Sequence, residues 1–141
     1  MSMQLVVFRL CREEYAVLVE KVREVINYLP ITKLPGKPDY FEGVINVRGK
    51  TVPVIDFAAK LGLPGAGGAD RQIIIVEHRN KEIGLTVDTV TEVIQTSKDI
   101  FAGLDVTEAG GQNLRKVCNF HDRIIVLLDV EQMLKGSALA G

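Results

Sequence analysis

The sequence is poor in the residues on which catalysis, metal binding and nucleic-acid binding usually depend. It has no tryptophan, two cysteines, two histidines and three serines, of which Ser2 and Ser137 lie near the ends. Two cysteines far apart in the chain exclude a disulfide scaffold. The formal net charge of −1 provides no positive field for phosphates, so we expect no nucleic-acid partner.

Long hydrophobic runs are also missing. The apolar run at Leu5–Phe8 is too short for a signal-peptide core or a membrane span, and Arg9 and Arg12 follow it closely. The glycines at 65, 67 and 68 do not fit a phosphate-binding loop, because no Gly-Lys-Ser/Thr follows them, and no dinucleotide-binding glycine pattern is present. We therefore expect a cytoplasmic protein with reduced thiols and without a cofactor. Gly43, Gly49 and Gly62 are interpreted as turn and cap glycines.

Short runs of β-branched and apolar residues dominate what is present. They have the length of strands, and turn residues separate them, which predicts an all-β barrel or sandwich. Between two of the runs, His78–Lys81 predicts a hairpin turn in which Asn80 can adopt a left-handed backbone. The runs are Leu5–Phe8, Tyr15–Val19, Val44–Val47, Val52–Ile55, Ile73–Val76, Ile83–Val87 and Ile124–Leu128.

The chain also repeats itself. An offset of 68 residues aligns Tyr15–Ile26 with Ile83–Ile94, and an offset of 73 aligns the later parts of the two halves. Chance similarity of apolar runs is the alternative, but polar positions match as well. We predict a single domain with halves of about 1–66 and 70–136, and a five-residue insertion within 102–113. The matching pairs are Val19/Val87, Val22/Val90, Glu24/Glu92, Val25/Val93, Ile26/Ile94, Val44/Val117, Asn46/Asn119, Asp56/Asp129 and Leu61/Leu134.

A short capped helix is predicted at the end of each half. Asp56 can cap the first free N–H groups of a helix that Gly62 ends, and Asp129–Gly136 repeats this pattern. Residues 64–69 are interpreted as a flexible connector and residues 137–141 as a frayed tail. Whether the halves exchange edge strands stays open.

Two chemical alternatives compete with a purely binding role. Cys118 and His121 are close enough in sequence for a Cys–His nucleophile, and with Cys11 and His78 they could converge on zinc. No Cys-x-x-Cys pair supports a metal site, and a structural cysteine is more common than a reactive one. We therefore expect no enzyme and no metal.

Glu24 and Arg48 are opposite charges within apolar strand runs. Either both lie on solvated strand faces, or they form an ion pair at a barrel rim; we predict the ion pair. The planar fork of Arg48 can hold a carboxylate or bind carbonyl groups of a partner. Val22, Val25 and Val44 would supply apolar contact area beside it, as in partner surfaces generally.

Several segments together resemble the CheW family of chemotaxis coupling proteins, over the chain from about Leu5 to Leu134. The most specific is Gly43–Gly49, which reads Gly-Val-Ile-Asn-x-Arg-Gly, with Pro-Val-Ile-Asp downstream. Three features depart from the family pattern and affect the second half: residues 100–104, Lys116 and residues 118–121. The other similar segments are residues 15–17, 21–26, 38–42, 52–57, 83–88 and 122–129.

The resemblance implies two SH3-like five-stranded β-barrels around a shared core, each followed by a short helix. It implies a non-catalytic adaptor that bridges the cytoplasmic tips of methyl-accepting chemoreceptors to the regulatory domain of the chemotaxis histidine kinase. Contact with the membrane would be indirect, through the receptors. An adaptor of a specialised non-motility kinase pathway is the alternative. Kinase contacts are expected at apolar barrel ends, without assigned residues. The implied receptor-binding groove contains Val22, Glu24, Val25, Gly43, Asn46 and Arg48.

Overall fold

The computed structural model describes residues 2–37, 39–62, 71–97, 101–107 and 113–134. Strands make up most of these ranges, and a single 3-10 turn, Val19–Lys21, and two short helices, α1 (Phe57–Lys60) and α2 (Val130–Leu134), complete the regular structure there. No helix in the described ranges is long and apolar enough to cross a bilayer. The strands are β1 (Ser2–Leu10), β2 (Glu13–Leu18), β3 (Val22–Asn27), β4 (Phe41–Val47), β5 (Lys50–Asp56), β6 (Gln72–His78), β7 (Lys81–Val87), β8 (Thr89–Ser97), β9 (Phe101–Thr107), β10 (Asn113–Phe120) and β11 (Arg123–Leu128).

The strands form two sheets, which we call the six-stranded barrel and the five-stranded barrel. The six-stranded barrel has the order β8-β1-β2-β11-β10-β9, and the five-stranded barrel has the order β3-β6-β7-β5-β4. The predicted all-β fold of two small barrels with short helices is therefore confirmed. One barrel has a sixth strand, β9, which begins at the predicted insertion. Residues 108–112 of that insertion lie outside the described residues.

The two halves of the chain exchange strands. β1 and β2 pair with strands of the second half, while β6 and β7 pair with strands of the first half. Two parallel strand pairs, β2 with β11 and β5 with β7, connect the exchanged strands to the other half of the chain. Under the two sequence offsets, five neighbouring strands of one barrel correspond in order to the five strands of the other. The counterpart of β9 in the five-stranded barrel is one bridge, between Thr32 and Val44. The connector at 64–69 and the tail at 137–141 lie outside the described residues.

The exchange explains why the apolar runs of β1 and β6 do not alternate with polar residues. In β1, Leu5 and Val7 pack inside the six-stranded barrel, while Val6 and Phe8 face a central cluster between the barrels. β6 does the same: Ile73 and Ile75 pack inside the five-stranded barrel, while Ile74 and Val76 face the central cluster. A strand that is buried on both faces needs apolar side chains at every position.

Four hairpins have two-residue turns in which both residues have positive φ. These turns are Cys11–Arg12, Arg48–Gly49, Arg79–Asn80 and His121–Asp122, with φ between 49° and 83°. This is the type I′ geometry, whose twist matches that of the flanking strands. The predicted hairpin turn at His78–Lys81, with Asn80 in the left-handed region, is confirmed.

The caps of α1 are also as predicted. The Asp56 side chain accepts a hydrogen bond from the Ala59 N–H at 3.2 Å. Gly62, just after the helix, has φ +77° and donates its N–H to the Ala59 carbonyl at 3.0 Å. The repeated helix α2 is present, but Gly136 lies outside the described residues.

Candidate partner-binding site

The predicted receptor-binding residues lie on the two edge strands of the five-stranded barrel and on one turn. β3 and β4 stand at opposite ends of the strand order. β3 alternates between half-buried and exposed side chains, with Glu24 between half-buried Val22 and Ile26. Ile26 packs against the interior of this barrel and Val22 against the central cluster. Glu24 is therefore held at the margin of a packed core.

The predicted ion pair is confirmed. Arg48, in the turn between β4 and β5, donates from Nη2 to the Oε1 atom of Glu24 on β3. This hydrogen bond lowers the pKa of the Glu24 carboxyl and raises the pKa of the Arg48 guanidinium. Because the pair joins the two edges of the strand order, it helps to close the sheet into a barrel. The Arg48 side chain remains 69% exposed, against 27% for Glu24, so the guanidinium can still reach a partner.

Asn46 supports the turn that carries Arg48. Its Oδ1 atom accepts a hydrogen bond from the Gly49 N–H at 3.0 Å. Arg48 itself has φ +50°, which is unfavourable for any residue that has a Cβ atom. The side chain of Asn46 helps to hold this backbone in place and so orients Arg48.

Gly43 has a different role from the one predicted. It lies within β4, so its interpretation as a turn or cap glycine is wrong. A Cβ atom at this position would lie 2.2 Å from the Thr32 carbonyl oxygen and 2.7 Å from the Ile31 side chain, and φ is +149°. The missing side chain lets Thr32 pair with Val44 through two backbone hydrogen bonds of 2.9 Å. Gly43 is buried, so it affects the site through the packing of the backbone and not through an exposed side chain.

The two valines of the predicted groove differ in exposure. Val25 is 36% exposed on β3 and is available for contact. Val22 is half-buried and packs against the central cluster. Of the predicted residues, the structure thus joins Glu24 and Arg48 directly and Asn46 through the turn that carries Arg48, and Gly43 lies in the strand that leads to them.

A second charged cluster, in the six-stranded barrel, was missed by the sequence analysis. Arg123 pairs with Glu14 through its Nη2 atom and with Glu92 at 3.3 Å. These hydrogen bonds raise the pKa of Arg123, and the one to Glu14 lowers the pKa of that carboxyl. The signal was available, because Glu92 repeats Glu24. Next in sequence to Glu92 and Arg123, Val93 is 60% and Ile124 is 68% exposed.

A third polar contact connects the barrels. Glu131 on α2 accepts a hydrogen bond from Lys21 Nζ at 3.0 Å and lies 3.0 Å from His78 Nδ1. Lys21 is in the 3-10 turn between β2 and β3, and His78, only 2% exposed, ends β6. Lys21 is the main cause of the lowered pKa of Glu131, with His78 contributing. The contact ties the helix that follows β11 to the five-stranded barrel.

The cysteine and histidine side chains that were considered for catalysis or zinc have separate surroundings. Cys11 lies in the β1–β2 turn, where burial and the nearby Asp88 raise the pKa of its thiol. His78 contacts Glu131, and the His121 ring packs on Phe120 with ring centroids 4.3 Å apart. The Cys118 side chain lies outside the described part of the structure. Within that part, no three His, Cys, Asp or Glu side chains are grouped as metal ligands.

The fold is that of a protein-binding module built from two barrels. The chain belongs to the CheW family, because the CheW-like domain model matches residues 4–138. It is 36% identical over 138 residues to the probable chemotaxis protein CheW of Rhizobium etli, covering 92% of this chain and 86% of that protein. The chemotaxis protein CheW of Rhizobium meliloti is 33% identical over 133 residues, with the same two coverages of 92% and 86%.

A solved structure agrees with these sequence relatives. The scaffolding protein TtCheW from Thermoanaerobacter tengcongensis superimposes with a TM-score of 0.87 at 31% identity, covering 100% of this chain and 95% of that one. The family predicted from the sequence is therefore confirmed, and so is its fold.

Proposed function

We propose that this protein couples a methyl-accepting chemoreceptor to the regulatory domain of a chemotaxis histidine kinase in the cytoplasm, without making or breaking a covalent bond. The role of a chemotaxis adaptor agrees with the family match and with relatives named as chemotaxis and scaffolding proteins. The observation that carries the choice of surface is the Glu24–Arg48 pair, which presents an exposed guanidinium on a turn fixed by hydrogen bonds.

The receptor surface in this proposal is centred on Arg48. Its guanidinium has five N–H donors in a plane, and Glu24 occupies only part of them, so others can bind carbonyl or carboxylate groups of a receptor helix. Val25 adds exposed apolar area on the neighbouring strand. A helix that places apolar side chains beside a charged rim uses the helix-in-groove mode of recognition.

The kinase surface in this proposal lies on the six-stranded barrel. Val93 and Ile124 are large apolar side chains that face solvent, and their chain neighbours Glu92 and Arg123 form an ion pair. An apolar centre with a charged rim is the usual composition of a protein interface. The family resemblance gives the kinase regulatory domain the same fold, so barrel could pair with barrel in a head-to-tail manner that closes into rings.

An adaptor of this kind needs two separable surfaces and a modest coupling between them. About 1–3 kcal/mol of coupling free energy shifts a conformational equilibrium severalfold to more than a hundredfold. Many weak contacts in an array add avidity, so each single interface can remain weak.

The test compares Arg48→Ala with Arg79→Ala in a reconstituted assay of receptor-dependent kinase activation. Both arginines are exposed first residues of type I′ turns, so the control matches the local backbone and the loss of charge. We expect Arg48→Ala to lower activation and Arg79→Ala to leave it unchanged, with circular dichroism spectra like that of the parent. Equal activation by both variants would refute the assignment of the receptor surface.

A charge exchange separates the ion pair from the contact with the receptor. Glu24→Arg combined with Arg48→Glu keeps a pair across the barrel edges but reverses the charge offered to a partner. We expect a folded protein with lowered receptor affinity in a pull-down with a receptor tip fragment. Full receptor binding by this double variant would show that Arg48 matters only for the barrel.

A further inference from the structure

One loop of the five-stranded barrel exposes leucines beside lysines. It comprises residues 28–37, between β3 and β4, and we call it the lysine loop. Leu29 is 36% and Leu34 is 43% exposed, and Lys33 and Lys37 are exposed as well. The loop contains no aspartate or glutamate. It therefore presents apolar area and positive charge together.

The two lysines of this loop differ from other cations of the same barrel. Cations on its strands and turns form ion pairs with glutamates: Arg23 with Glu77, Arg48 with Glu24, Lys50 with Glu82 and Arg71 with Glu42. Among the described residues, no carboxylate lies within ion-pair distance of Lys33 or Lys37. The Lys37 Nζ atom lies 5.9 Å from the centre of the Phe41 ring. The positive charge of the loop is thus available to a partner.

Arg71 fixes the beginning of the lysine loop. Its guanidinium lies 4.4 Å from the centre of the Tyr28 ring and donates a hydrogen bond to the Oε1 atom of Glu42 at 3.1 Å. Both side chains of this ion pair are only 16% exposed. The Arg71 carbonyl also accepts a hydrogen bond from the Tyr28 N–H at 3.1 Å. A guanidinium that contacts both an aromatic face and a carboxylate holds these groups in a defined geometry.

The middle of the loop is fixed as well. Thr32 exchanges two backbone hydrogen bonds with Val44 on β4, and Ile31 packs inside the five-stranded barrel. Leu29 and Leu34 lie on either side of these residues in the chain and stay partly exposed. A loop that is already ordered loses little conformational entropy when a partner binds. The exposed leucines are therefore presented in a form suited to binding.

The loop is suited to a helix that carries apolar and acidic side chains. Its surface consists of side chains, and a helix binds through its side chains because its own backbone hydrogen bonds are satisfied. Leu29 and Leu34 are at most about 18 Å apart along the chain, so one helix of about five turns, roughly 27 Å long, can cover both. An anionic membrane is less suitable, because stable attachment there needs an acyl chain or a cluster of about four to eight basic residues.

We propose that the lysine loop binds an acidic amphipathic helix of a partner protein. The apolar side chains of this helix cover Leu29 and Leu34, and its carboxylates pair with Lys33 and Lys37. The proposal does not depend on which surfaces bind the receptor and the kinase. It can therefore be tested on the isolated full chain.

The test measures fluorescence anisotropy of a labelled helical peptide at low ionic strength. The peptide has about five turns, with leucine along one face and glutamate on both sides of that face. We expect it to bind, and a peptide with glutamine in place of glutamate to bind about fivefold more weakly, because each surface ion pair contributes modestly. A scrambled peptide of the same composition should bind about tenfold more weakly, since its leucines no longer share a face. Equal binding of the glutamine peptide or of the scrambled peptide would overturn the proposal.

Charge variants locate the site. Lys33→Gln with Lys37→Gln should weaken binding of the glutamate peptide about fivefold. Arg12→Gln with Arg79→Gln is the matched control, an equal charge change at exposed residues of two hairpin turns, and should have little effect. Equal effects of the two double variants would overturn the proposal.

The apolar part of the contact has its own test. Leu29→Ser with Leu34→Ser should weaken binding of the glutamate peptide about tenfold or more, and circular dichroism checks that this variant is folded. Unchanged binding by the folded variant would overturn the proposal. So would displacement of the peptide by phosphatidylserine vesicles but not by phosphatidylcholine vesicles, because the loop would then bind a lipid surface.

Discussion

Gly43→Ala is expected to destabilise the protein more than any ordinary glycine substitution. The added Cβ atom would lie 2.2 Å from the Thr32 carbonyl oxygen. Thr32 must therefore move by roughly 1 Å or more before these two atoms reach a normal contact distance. This movement breaks the two 2.9 Å hydrogen bonds between Thr32 and Val44, at about 1 kcal/mol each. The positive φ adds about 1 kcal/mol of strain for alanine. The expected loss is about 3 kcal/mol.

Urea unfolding followed by circular dichroism measures this loss, with an unchanged denaturant slope as the check that the same transition is observed. The melting temperature should fall by about 10 °C. Gly36→Ala is the matched control, because Gly36 has φ +78° and no atom within 4 Å of a built Cβ, so only strain of about 1 kcal/mol applies. If Gly43→Ala lowers the free energy of unfolding by no more than Gly36→Ala does, the close approach of Thr32 is not the reason that position 43 requires glycine.

Three further changes test other parts of the structure. Arg123 lowers the pKa of Glu14, so their ion pair stabilises the folded protein above the ordinary carboxyl pKa, and this stabilisation is lost as the pH falls through the lowered pKa of Glu14. Arg123→Met should therefore flatten the decline of the free energy of unfolding below about pH 4.5. An unchanged curve of unfolding free energy against pH would contradict this. Arg79→Asn with Asn80→Gly should raise stability by about 1 kcal/mol in urea unfolding, since asparagine-glycine suits a type I′ turn; a loss would contradict the strain argument. Glu131→Gln should lower stability by about 1 kcal/mol in the same assay, and an unaltered midpoint would show that its contacts are neutral.

Seven of the eleven strands, the hairpin turn at Arg79–Asn80 and the first capped helix were predictable because each depends on local sequence. Continuous apolar runs such as Ile73–Val76 gave the strands, and Asn80 marked a left-handed turn. The exchange of strands was not predictable. Each half carries nearly the same apolar pattern, so a strand such as β1 could pair equally well within its own half, and only the central packing decides between the alternatives.

Among the charged sites, one ion pair was predictable from the sequence and another cluster was not. Glu24 and Arg48 could be paired from the sequence because each stands out in an apolar run. The cluster at Arg123 was missed because the repeat moves the cation: the equivalent of Arg48 is His121, and Arg123 takes the place of Lys50. The role of Gly43 depends on the loop residue Thr32, eleven positions away, and no periodic pattern relates the two.

The exchange of strands also bears on how an adaptor of this shape can transmit a signal. The chain crosses between barrels at Val19–Lys21 and again at Asp88, and each crossing is fastened by polar contacts. At the first, Lys21 holds Glu131 at 3.0 Å; at the second, Asp88 accepts from the Cys11 N–H at 3.0 Å and donates its own N–H to the Arg9 carbonyl at 3.0 Å. With a shared apolar cluster between them, the barrels have no free hinge among the described residues. If the two partners bind different barrels, as proposed, coupling between them should depend on the geometry of the assembled array more than on a change of shape within this chain.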